Sequence, residues 1–170
     1  MKTIIGLATI LAVAIGLATI VAIVSVAWAQ SPHFIGVAQI AGVFSDGGIS
    51  ASFKEAGLGD SVLVTYELAG KFSADYGCVN HGGNHPQAAN KEALVGDVGA
   101  IATFQSGKNG NVVGTVTFVP PPASAELSCP GNQVAILADI SYSDLTLEDV
   151  TNGDFATLDK VALSAVFFTF

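Results

Sequence analysis

Arginine is absent from this chain, and all six basic residues are lysines. Bidentate guanidinium clamps on phosphate or carboxylate are therefore excluded. Charge of either sign is scarce: 12% of 170 residues, about half the usual share. What charge there is runs acidic, to a net −8. Neutralising phosphates takes stripes of Lys and Arg, so this balance argues against nucleic-acid binding. The low charge does not signal disorder, because 51% of the residues are hydrophobic. Gly-x-Ser-x-Gly, a glycine-rich phosphate loop, a dinucleotide fingerprint and an Asn-x-Ser/Thr sequon are all missing. A Ser-His-Asp set or a glycosidase carboxylate pair can be assembled on paper from three His and 14 acids, but nothing prefers one choice over another. The reading leans to a non-enzymatic protein, with a secreted hydrolase built on scattered carboxylates left open.

The amino terminus holds an uninterrupted apolar stretch. Lys2 is the only charge before Asp46, and Thr3 to Val26 is almost purely apolar. Ala27-Trp28-Ala29 places small residues at −3 and −1 of a cleavage before Gln30. Residues 1–29 are thus expected to be a signal peptide, and 30–170 a single domain. The apolar stretch is longer than the roughly 7–15 residues of an ordinary signal core. As a helix it would reach about 36 Å, enough for a hydrocarbon core of about 30 Å. An uncleaved anchor through residues 3–26 is the alternative. With Lys2 inside, either reading places Gln30 onward outside the cytoplasmic membrane, secreted or anchored on its outer face. No second apolar span exists.

Cys78 and Cys129 are the only cysteines, and both follow the leader. An even count in an exported chain predicts a disulfide. The other reading is two buried free thiols. A bridge closing a loop of this length stabilises by up to roughly 4 kcal/mol in the chain-entropy picture.

From Gln30 on there is no amphipathic helical pattern longer than two turns. β-branched and aromatic runs alternate with Gly, Asn, Asp and Pro instead. Phe34 to Phe44 and Ile49 to Phe53 are the first two apolar runs. In Val62 to Cys78 one parity is apolar (Val64, Tyr66, Leu68, Phe72, Ala74, Tyr76) and the other polar (Thr65, Glu67, Lys71, Ser73, Asp75). A two-residue hairpin at Gly70-Lys71 would switch the inward set, and no switch occurs. One long strand, bent or bulged near Gly70, is predicted, with Cys78 facing the core as an inter-sheet bridge requires. A long loop is expected from Asn80 to about Asp97. Strands then follow at Val98 to Gln105, Val112 to Val119, Val134 to Ser143, Leu145 to Val150 and Val161 to Phe170. Lys108-Asn109-Gly110-Asn111 and Asn152-Gly153 are hairpin signals. Pro120-Pro121-Pro122 must leave any ladder and cross towards Cys129. The predicted fold is all-β: an antiparallel β-sandwich, immunoglobulin-like in the loose sense, with one disulfide. The terminal aromatic strand suggests an outer-membrane barrel, but aromatics at 8% are too few for two girdles and the proline run interrupts the strands.

Two polar clusters can be read as binding sites. His81 and His85 lie four apart, with Asp75 and Cys78 upstream, nominally a divalent-metal set of imidazole plus thiolate or carboxylate. A disulfide would remove Cys78, and Gly82-Gly83 and Pro86 forbid the regular helix that brings such histidines together. Asp149, Asn152 and Asp154 gather oxygens in a turn, which suits calcium. The Asn-Gly step is equally explained by hairpin geometry.

The run Cys78-Val79-Asn80-x-Gly82-Gly83-Asn84-x-Pro86-x-Ala88-Ala89-Asn90-Lys91 resembles a pattern in small secreted proteins of actinobacteria and some archaea. The strand from Val112 to Pro120, Cys129-Pro130 and the stretch from Ser141-Tyr142 to Asn152-Gly153 are similar too. The resemblance implies an exported, disulfide-bonded, β-rich protein and no particular activity. In that pattern positions 81 and 85 are not fixed as histidine. Two functions remain in view. One is an exported cell-envelope, adhesion or matrix module that can self-associate through edge strands such as Phe34 to Phe44 and Val161 to Phe170, unless these two pair with each other in the centre of a sheet. The other is a metal- or small-ligand-binding protein using the 80–97 loop.

Overall fold

The computed structural model describes residues 31–80 and 91–169. The expected leader 1–29 and the loop carrying His81 and His85 lie outside the described residues. Two antiparallel sheets pack face to face, and neither closes into a barrel.

The smaller sheet is built on β3 (Ile49–Ala56). One side of β3 pairs with β1 (His33–Phe34) near its end and β2 (Gln39–Ala41) near its start. Its other side pairs with β6 (Val112–Phe118) along its length. The larger sheet runs β5 (Lys91–Gln105), β4 (Leu63–Val79), β7 (Val134–Asp149), with β8 (Asp154–Phe155) and β9 (Leu163–Val166) sharing the far side of β7. The one described helix, α1 (Ala123–Glu126), is a single turn between the proline run and Cys129.

Alternation explains β4. Val64, Tyr66, Leu68, Phe72, Ala74, Tyr76 and Cys78 are buried, while the intervening residues face outward. The expected irregularity near Gly70 is present, but the extra residue belongs to the partner strand. Ala69 pairs with Thr146 and Lys71 with Ser143, so β7 carries three steps against two. Asp144 takes the positive φ of 54° that this bulge needs. Gly70 is required by approach: a Cβ there would sit 2.9 Å from the Ser143 carbonyl oxygen. The bulge also unites two predicted strands. Ala138, Ile140 and Tyr142 face in before it, and Leu145, Leu147 and Asp149 after it. The strands expected at 134–143 and 145–150 are thus one strand, with the change of parity between Tyr142 and Leu145 absorbed within β7.

Other expectations need correction. The predicted loop ends early, because Lys91 to Asp97 already pair with Gly77 to Lys71 of β4. Gly96 looked like a loop glycine. A Cβ on it would meet the Phe72 ring at 2.7 Å, so it is a strand residue making room for an aromatic. Residues 107–111 do turn, with Gly110 N donating to Gly107 O at 2.8 Å, but they form no hairpin: β5 and β6 belong to different sheets. The apolar stretches at the two ends give only short strands. They do not pair centrally with each other; β1 and β2 edge one sheet, and β8 and β9 edge the other.

The Cys78–Cys129 bridge is formed, with Cα atoms 5.6 Å apart. It does not join the two sheets as expected, since Cys129 lies in the connection between α1 and β7. The layers are held instead by aromatic contacts. Phe53 of the small sheet meets Tyr66 of the large one at 4.3 Å between centroids, and Phe34 and Phe104 pack around them. Phe72, Phe118 and Tyr142 form a second cluster.

Candidate functional site

Three polar sites and one strand edge are the candidate functional features of the described residues. The first surrounds Asp75. Its outward parity on β4 leaves it exposed, opposite Ala93 on β5 and Asp139 on β7. Two carboxyls face each other across the ladder, which is unfavourable when both are charged. Partial burial, then the charge of Asp75, pushes the Asp139 carboxyl above its ordinary range. Beside them lies a shallow cavity of about 270 Å³ lined by Asp75, Tyr76, Lys91, Glu92 and Ala93. Of the trio His81, His85 and Asp75, only Asp75 is among the described residues. Cys78 is in the disulfide and has no thiolate to offer a metal.

The second site is the turn between β7 and β8, with Asp149, Asn152 and Asp154 brought together as expected. Asp149 and Asp154 are register partners. Asp149 Oδ1 accepts from Thr151 N at 2.8 Å and Asn152 N at 3.1 Å, and Oδ2 accepts from Asn152 Nδ2 at 2.5 Å. Oδ1 thus serves the backbone of a tight turn, as Asp does in an Asx turn, while Oδ2 holds the Asn152 side chain. Thr151 Oγ1 accepts from Thr65 N at 2.9 Å and docks the turn on β4. Turn formation accounts for Asp149 and Asn152 without a cation. Among the described residues, no group of three or more His, Cys, Asp or Glu is placed to hold a metal ion.

The third site went unnoticed in the sequence. Glu55 comes from β3, on the inward parity of Ile49, Ala51 and Phe53, and is wholly buried. It faces Tyr66 and Asp149 of the opposite sheet, both also wholly buried. Neither Glu55 oxygen nor the Tyr66 hydroxyl has a well-formed hydrogen bond. Burial is the main reason the Glu55 carboxyl is pushed up to about 7. The nearby Tyr66 hydroxyl opposes that rise, and Asp149 and Asp154 add to it. Burial and the Glu55 charge likewise hold the Tyr66 hydroxyl far above the usual phenol range. Counting parity from Ile49 would have placed this acid inside.

His33, the one described histidine, is exposed, and its Nδ1 donates to the Ser31 carbonyl at 2.8 Å. The other two core tyrosines serve architecture. Tyr76 donates to Pro121 O at 2.8 Å, fixing the proline crossover, and Tyr142 donates to Gly47 O at 2.5 Å.

The fourth feature is the outer edge of β5. All fifteen of its residues pair with β4 on one side, and no described strand pairs with it on the other. Set against known protein families, curated proteins and solved structures, the chain matches none of them.

Proposed function

We propose that the chain is an exported, non-enzymatic structural module of the cell envelope or extracellular matrix, acting through contact with other proteins. The leader pattern at 1–29 supports export. So does the formed Cys78–Cys129 bridge, which suits an oxidising compartment. The likeness of the Cys78 to Lys91 pattern to exported proteins points the same way.

The observation that carries the interaction reading is the β5 edge. An edge fifteen residues long that no described strand pairs with is a template for strand addition, and edges of this length are normally shielded by charge, proline or a bulge. β5 has none of these near its middle except Asp97, already paired with Lys71. Fractionation of producing cells with thiol trapping tests the reading. The protein is expected outside the cytoplasm, with both cysteines resistant to alkylation until reduced. Recovery in the cytoplasm with both thiols reactive overturns it.

A further inference from the structure

The inference concerns the partner of the β5 edge and rests on the reading of the chain as an interaction module. Along β5, residues alternate strictly. Leu94, Gly96, Val98, Ala100, Ala102 and Phe104 turn towards the small sheet, and Ala93, Val95, Asp97, Gly99, Ile101 and Thr103 turn outward. Two of the outward residues are large aliphatics with nothing covering them: Val95 is 73% exposed and Ile101 68%. They lie six residues apart, symmetrically about Val98.

An axis at Val98 is therefore the one that sets these two residues opposite each other when the strand pairs with a copy of itself. A two-fold axis perpendicular to the sheet joins two antiparallel copies into one continuous sheet and keeps outward residues outward. With the axis at Val98, Val95 of each copy stands directly opposite Ile101 of the other. Asp97 stands opposite Gly99, Lys91 opposite Gln105, and Glu92 opposite Phe104, so no two like charges oppose each other. Neighbouring registers lose these matches. Centring on Asp97 sets that carboxylate against its own copy. Centring on Gly99 sets Ile101 against Asp97, and centring on Gly96 sets Val95 against Asp97. Centring on Ala100 leaves Ile101 opposite Gly99. The residues of β5 thus favour one self-pairing over those on either side of it.

We infer that β5 is a homotypic interface, in which two copies of the chain pair β5 to β5 in antiparallel register about Val98. The larger sheets merge across it, and each copy buries the Val95 and Ile101 side chains of the other against its own. The partner is a second copy because the match is internal to a single strand; a heterologous strand has no reason to repeat it.

Sedimentation equilibrium on the purified protein tests this. Because Val95 and Ile101 are exposed, substitutions there leave the fold intact. The wild-type protein is expected to dimerise reversibly. Val95→Lys sets an ammonium against Ile101 of the other copy and is expected to weaken the dimer at least about tenfold, the loss of one good cross-strand pair at each of two symmetric positions. Adding Ile101→Glu to Val95→Lys restores an opposite-charge pair at both positions and is expected to recover association. Mixing Val95→Cys and Ile101→Cys proteins under oxidation is expected to give a covalent mixed dimer, while Val95→Cys alone gives little. A wild-type protein that stays monomeric to about 1 mM, the weakest association worth the name, overturns the inference. Association indifferent to Val95→Lys also overturns it, leaving the module reading to rest on another surface. Loss without rescue and without the mixed cross-link overturns the register. A chain found in the cytoplasm overturns the export reading, whatever the dimer does.

Discussion

The two lateral sides of this sandwich are finished in opposite ways. On one side, the edges of both sheets are short and strapped together. Ala38 N donates to Thr157 O at 2.8 Å and Asp159 N to Ala38 O at 3.0 Å, forming a parallel bridge between β2's approach and the segment after β8. Asp159 Oδ1 accepts from Ile40 N at 2.7 Å, and Lys160 reaches the Ile40 carbonyl at 3.0 Å. Backbone groups that would be a liability on an edge are thereby used between the sheets. On the other side, β5 projects fifteen residues with no such strap among the described residues. Both sides belong to one chain under one set of constraints. The difference leaves the β5 edge open, with no described partner strand, and the β2–β8 side shut.

The largest way to disturb this contrast is to cut the covalent tie near the open side. The Lys91 end of β5 hangs on Gly77 of β4, one residue from Cys78. Reducing Cys78–Cys129, or replacing both with Ser, frees a closure of 51 residues and is expected to cost about 4 kcal/mol in the chain-entropy model. Urea unfolding with and without reductant measures it. Amides of β5 near Lys91 should lose exchange protection before those of β2. Equal loss on both sides would remove the asymmetry.

The next effect belongs to the shut side. Glu55 sits where β3 meets the β7–β8 turn, buried against Tyr66 and Asp149. Its carboxyl is raised from 4.5 to about 7 by folding. A raised acid contributes stability that is complete below its unfolded value and is lost as pH climbs through the folded one. Stability is expected to decline between about pH 4.5 and pH 7, by up to about 3 kcal/mol, as Glu55 is forced to ionise in place. Glu55→Gln should flatten that slope in a series of denaturant titrations. An unchanged slope would assign the pH dependence to other groups.

Asp159 gives the shut side a dependence of the opposite sign. Its hydrogen bond from the Ile40 backbone, and then Lys160, hold its carboxyl below the ordinary range. A depressed acid contributes stability present above its unfolded value and lost as pH falls through the folded one. Asp159→Asn should speed amide exchange in β2 severalfold at neutral pH and leave β5 unaffected, as hydrogen-exchange mass spectrometry would read. Slowed or unaltered β2 exchange would mean that the strap is held by the backbone bridge alone.

What could be read without the structure follows from which signals are local. The unbroken parity of Val64 to Cys78 is a local fact, and it fixed β4 as one strand. The bulge at Asp144 is a property of a pair, so it appeared in the sequence only as a change of parity in β7 and was taken for a gap between strands. The strand at 91–97 is hidden for the same reason: the partner of Gly96, the Phe72 ring, is 24 positions away. β5 thereby lost half its length, and with it the edge that now carries the functional reading. Of the suspected sites, Asp149 and Asn152 were found together because a turn is local. Asp75 was found without its histidines, which lie outside the described residues. Glu55 was legible from parity, but charge hid it; an acid beside Lys54 looks solvated until its strand is counted out to the end.

The smallest effect lies between the two sides, on the outer face of the larger sheet. Asp75 and Asp139 oppose each other on neighbouring strands. Burial and then Asp75 raise the Asp139 carboxyl, so at neutral pH the pair stores a modest repulsion. Asp139→Asn removes one charge and keeps an acceptor, and is expected to stabilise by about 0.5 kcal/mol in denaturant titrations at pH 7, with no gain at pH 3. A loss of stability at pH 7 would mean that the Asp139 side chain makes a favourable contact worth more than the repulsion it carries. If the gain appears instead, the pair is only a repulsion carried on the outer face, and the contrast between the strapped side and the open β5 edge stands without it.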